Sequence, residues 1–261
     1  MGRFSNLEFE GSEGRREEQA PQEAARDEKY YIAMAKDSFR DGKFENALRY
    51  YSRSLEFDAR LADAWLGQVQ ALIELDEANE ARVWADKGLE QFRDHGELLA
   101  AKGVACGRLG DLDKAAALSD ASLEQKGETA YRWRARGDVL LARGDRNEEF
   151  CFSKALSAAG AQDAWEPLAV GRVYLHFGKW APAVRHLEAA VDRNKQSAFA
   201  WVELGRGLEK LGMSERAKQA YRNARDIDPS REGANPSRVT EPGLFAKVLT
   251  ALKKAFGAGR P

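Results

Sequence analysis

The sequence predicts an all-α solenoid of six helical hairpins, on three observations. Gly42, Gly110, Gly144, Gly178 and Gly212 stand 34 residues apart or twice that, with Asp76 in the one vacancy. Three further series keep the same step: Ala35, Val69, Gly103, Gly137, Gly171, Gly205; Ala47, Ala81, Ala115, Glu149, Ala183, Ala217; and Tyr31, Trp65, Leu99, Trp133, Pro167, Trp201. Between these markers apolar residues recur at spacings of three and four, the period of a helix face, as with Trp201, Leu204, Leu208 and Leu211. Interleaved series sharing one period of this length are the mark of a stacked repeat. Six units fill residues 28–231, as 28–61, 62–95, 96–129, 130–163, 164–197 and 198–231.

The sixth unit shows why each element forms. Its first helix carries the Trp201–Leu211 face, and Gly212 ends it, because a left-handed residue there meets no Cβ penalty. Ser214 is the expected N-cap of the second helix, which sets Ala217, Tyr221 and Ala224 on one face. Pro229 then stops the chain from continuing as helix. Small residues at unit positions 8 and 20 let the two backbones approach, and aromatics at positions 4 and 24 fill the space beside them. The second unit departs from this, with Val69 at a small position and Asp76 at the turn, and a slight splay is expected. The fourth departs more: an acid, Glu149 or, if one residue is lost near the turn, Glu148, falls where Ala belongs. Such an acid either rotates to solvent or marks a kink used by a partner, since a buried unpaired carboxylate is costly.

The run Trp201-x-x-Leu204-Gly205-x-x-Leu208, then Ala217-x-x-x-Tyr221, Ala224 and Pro229, resembles the tetratricopeptide repeat, with Leu208 where that family prefers Tyr. The resemblance covers residues 28–231. It implies a right-handed superhelix whose concave surface, lined mostly by the first helix of each unit, takes an extended peptide or a partner helix. It also implies that unit positions 2, 5, 9, 12 and 13 face that groove. In the last three units these include Tyr131, Arg134, Trp165, Leu168, Arg172, His176, Phe199, Val202, Arg206 and Lys210. Aromatics at position 2 and Arg at position 9 recur there, and both residue types are enriched at binding hot spots. The expected ligand is a protein segment with apolar anchors and acidic groups; the competing reading packs Trp165 and Phe199 between neighbouring units. The chaperone carboxylate clamp of the family is not expected, because its Lys and Asn positions hold Ile32, Lys36, Gly67, Glu97 and Ala101, or Arg134, Asp138, Ala169, Phe199 and Glu203.

Composition narrows the function classes. Lys plus Arg number 41 against 42 Asp plus Glu, a balance without the basic excess of a general nucleic-acid binder. No apolar run approaches the roughly 20 residues that span a bilayer, and no apolar leader segment is read at the N-terminus, so a cytoplasmic protein is expected. No metal or cofactor is expected: His176 and His186 fall on different helices and gather no third ligand. His95 reads as a loop residue, and Cys106 and Cys151 as small packing residues. With no nucleophile–base trio and no phosphate loop, the expected role is a non-catalytic scaffold or adaptor. The alternatives are a peptide-responsive regulator, a membrane-surface assembly factor, or an enzyme subunit of unrecognised chemistry.

The two ends differ from the repeats. Residues 1–27 are acidic and poor in apolar residues, and disorder is expected. A turn-rich linker, 232–243, precedes an amphipathic helix expected over 244–257. Leu244, Phe245, Val248, Leu249, Leu252 and Phe256 form its apolar face, with Lys247, Lys253 and Lys254 opposite. It could cap the last unit, occupy the groove or a partner, or make weak contact with an anionic membrane surface.

Overall fold

The computed structural model of the chain describes residues 27–230. The segments 1–26 and 232–243, and the helix expected over 244–257 with its face from Leu244 to Phe256, lie outside the described residues. Among the described residues there are twelve α-helices and no strand. They pair as six hairpins: α1 (Glu28–Arg40) with α2 (Phe44–Phe57), α3 (Ala62–Glu74) with α4 (Ala78–Gln91), and α5 (Gly96–Arg108) with α6 (Leu112–Glu124). They continue as α7 (Ala130–Arg143) with α8 (Glu148–Ala159), α9 (Trp165–His176) with α10 (Trp180–Arg193), and α11 (Ala198–Lys210) with α12 (Ser214–Ile227).

One turn chemistry closes every hairpin. The residue after the left-handed one donates its N–H five residues back: Lys43 to Ser38 O, Glu77 to Leu72 O, Asp111 to Cys106 O, Asp145 to Leu140 O, Lys179 to Tyr174 O and Met213 to Leu208 O, all at 2.8–3.0 Å. Such bonds satisfy carbonyls that the helix end would otherwise orphan. The left-handed residue is glycine in five hairpins and Asp76, at φ 62°, in the second. A non-glycine residue there costs about 1 kcal/mol, yet the Glu77–Leu72 bond keeps the length of the others. The second turn thus keeps the common hydrogen bond, while α3 and α4 meet over a shorter stretch than the helices of the other hairpins, in line with the expected slight splay. The same geometry moves the cap of α12. Met213, not Ser214, holds the N-cap position, and Ser214 is the first helical residue. The tight turn leaves only Met213 between the left-handed Gly212 and the helix.

Packing within the hairpins follows the small-residue series. A Cβ on Gly205 would stand 2.4 Å from the Tyr221 ring, one on Gly171 2.6 Å from Leu187, and one on Gly137 2.3 Å from Phe152. Any side chain there would force the helices apart, at a cost of about 1–3 kcal/mol. In the fourth hairpin the filling residue, Phe152, comes one position earlier than Leu187 or Tyr221 do in theirs. One residue has thus been lost at the α7–α8 turn. Glu148 takes the close-packed position and is half-buried, while Glu149 turns outward. The Glu149 carboxylate accepts from the Tyr174 hydroxyl at 2.6 Å and from Arg185 at 2.7 Å. That acid is satisfied by the next hairpin instead of by solvent alone.

Across the stack, each hairpin packs on its neighbours, but the approach is uneven. α7 lies along α5 over a long stretch and meets α9 over a short one. The stack curves far enough that the first turn meets the inner helices of the last two hairpins, so the two ends of the described chain touch.

Candidate interaction groove

The residues expected to face the groove lie on α7, α9 and α11, and the structure divides them into a sealed part and an open part. Phe39, at the end of α1, sets its ring 5.4 Å from Trp165, and Phe44, at the start of α2, stands edge-on to Phe199 at 5.7 Å. Between them Gly42, at φ 70°, comes so close that a Cβ would lie 2.5 Å from the Phe199 ring. Leu168, Phe199 and Val202 are buried, and Trp165 is half-buried. Leu168, Phe199 and Val202, expected to face the groove, are thus buried rather than open on its surface. To packing between neighbouring units the structure adds a contact with the first hairpin, through Phe39 on Trp165 and Phe44 on Phe199.

A chain of charges runs beside this contact. Arg172 donates to Glu74 Oε2 from Nε and Nη2 at 2.9 and 2.7 Å, and its Nη1 stands 2.8 Å from Glu203. Its guanidinium also lies 4.9 Å from the Phe44 ring centre and 5.1 Å from that of Phe199, within range of cation–π attraction. Burial alone would push the Glu74 carboxyl up, but Arg172, with Arg108 and Arg134, holds it below its ordinary value. Burial likewise works against the Arg172 charge, and Glu203 and Glu74 outweigh it. Arg108 donates to Ile73 O at 2.9 Å and to Asp138 at 2.8 Å. Arg134 lies 3.1 Å from Glu166 and over the Tyr131 ring at 5.1 Å. Burial pushes the Glu166 carboxyl up despite that neighbour. Arg134 and Tyr131 are thus engaged within the fold, with Arg134 buried.

The open part is a cleft of about 710 Å³ between α3 and α5 on one side and α9, α10 and α11 on the other. Ile73, Glu74, Asp76 and Arg108 form one wall; Val173, Leu175, His176, Trp180, Glu203, Arg206, Glu209 and Lys210 join Arg172 in the other. Lys210 is exposed, with its ammonium 5.9 Å from the Trp180 ring centre, and half of the Arg206 side chain is exposed beside Glu203. His176 Nδ1 stands 3.8 Å from Asp76 across the cleft; burial, then Arg108, holds its pKa below the ordinary value. The walls place apolar surface, four carboxylates and two accessible cations within one cavity.

His186 is not among the residues lining the cleft and is buried with its ring 5.6 Å from that of Tyr174. Cys106 and Cys151 are buried and free, their thiol pKa values raised by burial. Sequence reasoning missed Phe39, Phe44, Glu74 and Arg108. A signal was available: Phe39 stands at unit position 12, and Glu74 and Arg108 at position 13, the same positions used to choose residues in the last three units.

Comparison with known proteins matches the fold. A family model for the tetratricopeptide repeat matches residues 200–231. The chain is similar in fold to a thermophilic TPR protein of Thermus thermophilus, at 17% identity and a TM-score of 0.53, over 70% of this chain and 99% of that one. It is also similar to a chain of the APC/C hetero-tetramer Cut9–Hcn1, at 15% identity and a TM-score of 0.50, over 87% of this chain. Of that chain's own length it spans 44%. No curated protein matches the sequence. Among the described residues no helix is long and apolar enough to cross a membrane.

Proposed function

We propose that this chain, a tetratricopeptide-repeat protein, is a non-catalytic scaffold that holds a segment of a protein partner in the cleft between its early and late hairpins. The observation that supports this reading is the cleft itself, with Trp180, Leu175 and Ile73 as apolar walls and Arg206 and Lys210 as accessible cations. A partner segment with apolar anchors and one or two carboxylates matches that lining. The cations steer an acidic segment toward the opening, and the aromatic wall supplies the contact that resists dissociation. His176 stands at the mouth as a third polar contact. Nucleic acid is a poor match, because the cleft carries as many acids as bases along its walls. A cytoplasmic location and an adaptor role belong to the same reading. A membrane-surface role would rest on the Lys-bearing segment 244–257.

The test is capture of partners by the full chain against a Lys210→Glu, Arg206→Gln double variant. Both side chains are exposed enough to change without emptying the core. Loss of the captured proteins by the variant is expected, with retained helical content. Equal capture by both forms would remove the cleft from consideration.

A further inference from the structure

The sealed end of the groove is filled by the chain's own first turn. Phe39 and Phe44 flank a glycine turn and reach Trp165 and Phe199, while Glu74 supplies the carboxylate to Arg172. Like the packing between consecutive hairpins, this contact is made by side chains, since among the described residues no backbone hydrogen bond outside the helices spans more than five residues. The fourth and fifth hairpins meet over a shorter stretch than other neighbouring hairpins do, and Glu149 with Tyr174 and Arg185, the Arg134–Glu166 ion pair and the Phe152–Tyr174 ring contact join them.

We propose that the Trp165–Arg172–Phe199 end of the groove is a recognition site for a glycine turn bearing two aromatic side chains with a carboxylate beside them. The Phe39–Phe44 turn and Glu74 fill the site in the isolated protein, and a partner segment of the same chemistry binds by displacing them. This rests on reading the inner face of α7, α9 and α11 as a partner-binding surface. The glycine is part of the recognition, because a Cβ at its position would strike the Phe199 ring and because its left-handed backbone disfavours other residues. The aromatics are part of it because Arg172 lies over Phe44 and Phe199 together, so its charge is attracted to the ligand's ring as well as to its carboxylate. A site whose competent state is only fractionally populated binds more weakly by that fraction, so opening the contact must tighten binding.

The probe is a labelled peptide of residues 36–47, titrated against the full chain and against Glu74→Arg. That substitution sets two like charges side by side at Arg172 and leaves Trp165, Arg172 and Phe199 unchanged. X-ray scattering of the unliganded proteins runs alongside. The expected result is a larger radius of gyration for Glu74→Arg and peptide binding at least about tenfold tighter than to the unmodified chain. A peptide carrying Gly42→Val should not bind either form. An opened variant that ignores the peptide, equal binding of the Gly42→Val peptide, or no change in radius and affinity would each overturn the proposal. Should Glu74→Arg lose helical signal, Glu74→Gln removes the ion pair without adding charge, and the same comparison applies with a smaller shift. The readouts also separate the two readings. Failure of the peptide with partner capture still dependent on Lys210 leaves the open cleft as the partner site, whereas loss of that dependence removes the open cleft.

Discussion

The two ends of one groove use the same residue types for opposite purposes. At the sealed end, aromatics and an arginine meet the chain's own first turn, and Phe199 and Glu203 are buried there with 4% and 2% of their surface exposed. At the open end, Trp180, Arg206 and Lys210 project into a cleft with room between the walls. Repetition places Arg172 and Arg206 at equivalent positions of consecutive hairpins, so local sequence does not separate them. Both ends draw on the fifth and sixth hairpins, and what separates them is which side chains the first turn reaches. The lesson is that a solenoid can pack its early repeats against its late ones, so residues at like repeat positions differ in how exposed they are.

Substitutions at the two ends should therefore differ sharply in cost. Phe199→Ala empties the space against Phe44, Gly42 and Arg172, and a loss of about 3–4 kcal/mol is expected from large-to-small changes in a filled core. Chemical denaturation measures it. Arg172→Ala is next, at about 2–3 kcal/mol. It leaves Glu74 and Glu203 facing each other without their shared cation, and the cost falls at the lower end for buried pairs because 15% of the arginine side chain reaches solvent. Equal stability of Arg172→Ala and the unmodified protein would show that the ion triad contributes nothing to closure.

How much of this division was legible follows from how each part is encoded. The hairpins were readable because each depends on residues within one period: a left-handed turn residue, two small residues and an aromatic. The register of the fourth hairpin was readable only as two alternatives, and Phe152 opposite Gly137 decides between them. Closure was not readable, because it depends on small rotations between successive hairpins that accumulate over the whole stack. No local pattern announces that Phe39 will meet Trp165. The Glu74–Arg172 pair spans 98 residues, and only the shared groove-facing positions of the two residues connected them beforehand.

Acidity tests the comparison from a third direction. His186 is buried in its stack on Tyr174, and burial holds its pKa below the ordinary 6.5, with Glu149 opposing and Arg185 and Arg193 assisting. A depressed folded pKa means the unfolded chain binds more protons in that range, so the contribution is complete above about pH 6.5 and is lost as pH falls below it. Glu74, also depressed, contributes fully above its ordinary 4.5 and is lost as pH falls through its lower folded value. Melting measured against pH should show two successive declines. His186→Phe should shrink the upper one, which His176 shares, and leave the lower one, to which Glu74 contributes. A single decline below pH 4.5 in the unmodified protein would remove His186 from this account.

The smallest stability effect should come from the open end. Lys210→Glu changes an exposed side chain whose recorded neighbour is the Trp180 ring, so a shift within about 0.5 kcal/mol is expected. Partner association should respond far more, because reversing one cation at the mouth changes the field that an acidic segment meets on approach. The change should appear mainly in the association rate and should shrink as salt rises, since the charge is accessible and screened within roughly 10 Å at about 0.1 M salt. A variant with unaltered melting and a salt-dependent loss of association rate would separate the two ends cleanly. A Lys210→Glu protein that melts several degrees lower with unchanged association would instead place Lys210 among the residues that hold the ring of hairpins shut.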